Sequence, residues 1–118
     1  MDILVTNNPL AVDRCKDCAQ VEYLDATLVD VLLRVRDMVH LGHDLLTHPL
    51  SGSVKPNETF YKSVLVSDKR GSVDEQSVHI IGQCILKAQG FPAREFPESF
   101  LYDMQVVDLS LITSAIVR

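Results

Sequence analysis

Apolar positions recur at two different spacings along this chain, and the spacing changes wherever turn-forming residues intervene. The short apolar run at 2–6 reads as a buried strand halted by Asn7, Asn8 and Pro9. An asparagine cap followed by proline at the first helical position starts a helix, predicted over 9–18. Positions 19–24 alternate and predict a second strand. Thr27 with Asp30 three residues on forms a capping box, and Leu28, Leu32, Val35 and Val39 then return at helical spacing until Gly42. A third strand is predicted at 44–48 and a fourth at 61–67, followed by a turn at 68–71.

The second half is more helical. Ser72 with Glu75 resembles another capping box, and Val78, Ile81, Cys84, Ile85 and Ala88 lie along one helical face. Gly90 and Pro92 terminate that helix, and 91–97 is a linker. Residues 98–117 predict a C-terminal helix whose apolar residues cover a wide arc. Their β-branched content near the end also fits a strand. So broad an apolar surface belongs in a core or a subunit interface, so a homodimer through residues 98–117 is an expected partnership.

Strands alternating with helices predict an α/β fold: one small domain over residues 1–118, with a mostly parallel sheet flanked by helices and a C-terminal helix. Ligands of such sheets bind beyond the carboxyl ends of the strands. Two polar loops fall there, Asn7–Asn8 after the first strand and the long segment 47–59 after the third.

Composition narrows the class. At 118 residues, 47% apolar and 23% charged, the chain matches an ordinary globular domain, and no apolar run approaches a membrane span. The start of the sequence lacks the basic region and cleavage site of a signal peptide, which makes the cytoplasm the expected compartment. A net charge of −5 with scattered basic residues weighs against nucleic acid, which needs clustered Lys and Arg to displace counterions.

The candidate chemistry concentrates in the long loop. Ser51, Gly52, Ser53 and Lys55 suit a small anionic ligand, because glycine admits close backbone approach while hydroxyls and lysine supply donors and charge. Asn7 and Asn8, beside a helix N-terminus, would add donors. His48, Asn57, Glu58 and Thr59 complete the expected ligand-binding set. The same prolines, glycine and hydroxyls also suit a loop that only satisfies its own backbone. No Walker, dinucleotide or nucleophile-elbow spacing is present, and no cofactor is expected.

His40, His43 and His48 cluster in sequence, but Gly42 breaks the helix between the first two, so no metal site is expected. Cys15 and Cys18 form a C-x-x-C at the end of the first predicted helix. That is the wrong end for a dipole-stabilised thiolate, and with Cys84 unpaired the thiols read as incidental.

Thr6, Asn7, Asn8 and Pro9, the block 42–59, and the tail 107–112 together resemble the GrdX-like family, small proteins encoded beside the glycine, sarcosine and betaine reductase components of anaerobic bacteria. Phe60 stands where that family's pattern has proline. The resemblance implies an accessory role near those reductases and carries over no catalytic residue. Three readings follow: a non-catalytic accessory or binding protein, a small enzyme using His48 as acid–base and Lys55 as an oxyanion contact, and a structural homo-oligomeric subunit.

Overall fold

A computed structural model describes residues 1–50, 55–92 and 94–116. Each element begins where the sequence supplies a chemical reason. β1 (Ile3–Thr6) runs into Asn8, whose side chain accepts from the Leu10 backbone N–H and caps α1 (Pro9–Cys15), with proline at its first position. The helix is shorter than its sequence pattern predicted. β2 (Gln20–Tyr23) follows, and then Thr27 and Asp30 form a reciprocal capping box at the start of α2 (Leu28–His40).

α2 stops through a Schellman arrangement. The Gly42 N–H bonds to the Val39 carbonyl and the His43 N–H to the Met38 carbonyl. Gly42 has φ +106°, and a Cβ there would overlap the Gly71 carbonyl, so only glycine serves. After β3 (Ser63–Val66), α3 (Glu75–Gln89) is capped by Asp74, the residue before its first turn, rather than by the Ser72–Glu75 box. Asp74 accepts from both the N–H and the hydroxyl of Ser77. α4 (Glu98–Ile116) is helical up to Ile116, which resolves the strand alternative for the described part of that segment.

The sheet order is β2-β1-β3, with β1 parallel to β2 and antiparallel to β3. The expected mostly parallel sheet is therefore a mixed one. The predicted strand at 44–48 is reduced to a single bridge between Leu45 and Val66. Beyond that bridge the Leu65 N–H donates to the Thr47 hydroxyl oxygen instead of to a backbone carbonyl, so a side chain takes the place of the next ladder bond. β3 itself runs opposite in direction to β1.

Helices cover both faces of this sheet. Val5, Val64 and Val66 meet Val31, Leu32, Val35 and Val39 of α2 and Ile81, Cys84 and Ile85 of α3. On the opposite face, Leu4 and Leu65 meet Ala11 and Cys15 of α1 and Ile112 of α4. Among the described residues, no helix is long and apolar enough to cross a membrane.

Candidate functional site at the strand rim

The C-terminal ends of β1 and β2 and the start of β3 share one rim, and the polar residues there do two kinds of work. One group builds the rim. Asn7 uses its amide to donate to the Ala26 and Phe60 carbonyls (3.0 and 2.9 Å) and its oxygen to accept from the Lys62 N–H at 2.8 Å. Asn8 caps α1 and also donates to the Gln105 carbonyl and to Asp108 Oδ2 on α4. Both asparagines are buried with their polar atoms engaged by the protein itself, tying three elements together.

Asp108 is the hub of that network. It is 5% exposed, and its Oδ2 accepts from Ser63 Oγ at 2.7 Å and from Asn8 Nδ2 at 3.0 Å. Ser63 in turn pairs with the Thr6 hydroxyl, and Gln105 donates to the Tyr61 hydroxyl. Charge-assisted bonds of this kind are the stronger ones, and here they fix α4 against the sheet.

The second group lines cavities. A groove of about 260 Å³ opens between the start of α2 (Thr27, Leu28), the segment Pro56–Phe60, the end of α3 and the following Phe91, Arg94 and Phe96. Its walls are aromatic and its polar groups few, the usual make-up of a small-molecule cleft. Arg94 lies 5.1 Å from the centroid of Phe96 and donates one N–H to the Asn57 carbonyl. Asn57 Oδ1 is buried with no hydrogen-bond partner among the described residues, a costly state for an acceptor.

A smaller cavity of about 30 Å³ lies beside α4, lined by Thr47, His48, Lys62, Ser63 and Asp108, with Leu111, Ile112 and Ala115 closing its floor. Lys62 is only 6% exposed, and among the described residues its ammonium makes no hydrogen bond or ion pair. Burial pushes its pKa below the ordinary lysine value, opposed through space by Asp108.

The residues expected from sequence divide accordingly. Asn57 and Thr59 line the groove, and His48 lines the small cavity while its Nδ1 accepts from the Leu50 N–H. Lys55 and Glu58 are exposed and bound to each other locally, Glu58 Oε1 accepting from the Lys55 N–H. Ser51, Gly52 and Ser53 lie outside the described residues. His40 is exposed at the end of α2, whereas His43 is buried with Nδ1 2.7 Å from the Ser67 carbonyl. No group of three His, Cys, Asp or Glu among the described residues is placed to hold a metal ion. Burial, then Cys18, pushes the Cys15 thiol above its ordinary value, the reverse of what an attacking thiolate needs.

Comparison with known proteins gives one match. The model of the family described as GrdX-like protein matches residues 3–117. The chain belongs to the GrdX-like family. No curated protein and no solved structure matches it. The match covers both cavities of this GrdX-like chain and every element that forms them.

Sequence reasoning missed Lys62, Asp108, Arg94 and the aromatic groove. A signal existed for Asp108, a lone carboxylate within the apolar run 104–112 of a helix. Lys62 looked like one more alternating strand residue, and Arg94 sat in an apparent linker. α4 also leaves Phe100, Tyr102, Val106 and Val107 exposed on its outer side.

Proposed function

We propose that this GrdX-like protein is a non-catalytic accessory protein of the glycine, sarcosine and betaine reductase system, holding a small anionic ligand at the strand rim. Family membership supports the association. The observation that carries the binding reading is the rim groove, where the Arg94 guanidinium borders a buried acceptor, Asn57 Oδ1, that has no partner among the described residues, between aromatic walls. Arg94 spends one described N–H on the Asn57 carbonyl, and a guanidinium has five, so it retains donors for a carboxylate. An acceptor beside it suits a ligand that also carries an N–H or O–H.

Thermal denaturation with glycine, sarcosine, betaine and inorganic phosphate, each at constant ionic strength, tests this reading. At least one compound should raise the melting temperature of the wild type in a saturable way, by about 2.7 kcal/mol of stability at a hundredfold excess over its Kd. Arg94→Ala should lose that response while melting where the unliganded wild type does. A wild type that responds to none of the four overturns the reading.

A further inference from the structure

The two thiols of the C-x-x-C stand in opposite surroundings. Cys15, the last residue of α1, is 0% exposed and packs with Leu4, Ala11, Ala19, Leu65 and Ile112. Cys18 is exposed, in the turn that leads from α1 to β2. That turn brings the two together. The Cys18 N–H donates to the Cys15 carbonyl at 3.1 Å, and the Ala19 N–H to the same oxygen at 3.0 Å. A turn closed from residue i to i+3 keeps those two Cα atoms within about 7 Å, and a disulfide spans Cα atoms about 4.4–6.8 Å apart. The Cys18 side chain is also folded back, its Sγ 3.4 Å from the Cys15 carbonyl oxygen, so it lies over the residue it would bond. Both thiols are free, as is Cys84, which is buried on the opposite face of the sheet.

We propose that Cys15 and Cys18 form a dithiol–disulfide exchange site for organic disulfides arriving from solvent, with Cys18 as the entering thiol and Cys15 as the resolving one. Exposure assigns the order, because a disulfide outside the protein reaches Cys18 and not Cys15. Cys18 loses its proton to water, and its sulfur attacks one sulfur of the incoming R–S–S–R. The new S–S bond to Cys18 forms as the old one breaks, and the departing RS⁻ takes up a proton. Cys15 then loses its proton, attacks the Cys18 sulfur and expels the second RS⁻, which is protonated in turn. Two electrons pass from the protein to the incoming disulfide. The dithiol is oxidised to a Cys15–Cys18 bridge, and R–S–S–R is reduced to two molecules of R–S–H. No residue of α1 or of this turn lines the Arg94 groove, so the site does not rest on the groove reading.

Oxidised glutathione is the probe that tests it. Native wild-type protein is equilibrated at neutral pH with oxidised glutathione and a little of the reduced form, quenched in acid and mapped by mass spectrometry of peptides. The Cys15–Cys18 bridge should exceed the Cys18–glutathione mixed disulfide by about tenfold or more, because the second thiol acts at the effective concentration of a tethered group. Cys84 should stay reduced. The excess of bridge over mixed disulfide should fall several-fold in urea, where the turn no longer holds the Cys18 sulfur over Cys15. Cys18→Ser, a change at an exposed position, should leave Cys15 unmodified in the folded protein. A native chain that stops at the Cys18 mixed disulfide, or stays a dithiol while the urea-unfolded chain oxidises, overturns the proposal. So does an excess of bridge as large in urea as in the native protein, which would make the spacing alone responsible. Glutathione on Cys15 of folded Cys18→Ser overturns the assignment of Cys18 as the entering thiol.

Discussion

The two faces of the sheet are built from different materials. The face under α2 and α3 is closed by aliphatic side chains, with Val31, Leu32, Val35, Val39, Val64 and Val66 fully buried. The face under α1 and α4 has a smaller apolar cluster, and its upper end is held by the polar chain Thr6–Ser63–Asp108–Asn8. One face is fixed by area removed from water and the other by paired donors and acceptors. The difference explains where reactive groups can sit. The carboxylate of Asp108 finds its place at the rim on the thinner, polar side, where Ser63 and Asn8 donate to it.

The comparison breaks first on the aliphatic side. Leu32→Ala should cost about 2–5 kcal/mol of unfolding free energy in urea, because Leu32 is fully buried and the surrounding helix and sheet cannot collapse onto the void. A loss under about 1 kcal/mol would mean that the α2–sheet packing is not the dominant core.

A smaller effect is expected on the polar side. Asp108→Ala strips the acceptor from Ser63 and from one Asn8 amide bond, at a cost of about 1–3 kcal/mol. Replacing Ser63 and Asp108 together should cost less than the sum of the two single changes. Additive costs in that double-mutant cycle would show the network to be a set of independent contacts.

The smallest effect belongs to the outside of the aliphatic face. Arg34 on α2 makes a bidentate pair with Glu22 on β2, at 2.6 and 3.0 Å, with both side chains a third or more exposed. Arg34→Ala should therefore cost under about 1 kcal/mol. The hydrogen bond from Arg34 holds the Glu22 carboxyl below its ordinary value of 4.5. Its contribution is present in full above that ordinary value and is lost as pH falls through the lower folded value. Stability curves of wild type and Arg34→Ala should accordingly converge in acid. Parallel curves from neutral pH to acid would remove the pair from the account.

Much of the fold was legible because its signals are local. The Asn8–Pro9 start, the Thr27–Asp30 box, the Gly42 stop and the Gly90 end each depend on residues a few positions apart, and each stands in the structure. Strand direction was not legible. The segment 44–48 has strand composition, but whether it pairs fully or bridges once depends on what the distant edge of β3 offers it, and there the Leu65 N–H goes to the Thr47 hydroxyl. The site divides the same way. The sequence pointed to the rim, and Asn57, Thr59 and His48 do line its cavities. Asn7 and Asn8, which looked like ligand donors, are occupied by partners as much as a hundred positions away.

By itself, the sequence determined the helices with the caps of α1 and α2, the apolar stripes that face the sheet, and the GrdX-like family. Capping and periodicity are short-range physics, written in neighbouring residues. The tertiary structure decided the mixed sheet, the pairing of Asn8 and Ser63 with Asp108, and the seclusion of Lys62. Each of these depends on which distant groups exclude water from one another, and that is settled only when α4 closes over the rim.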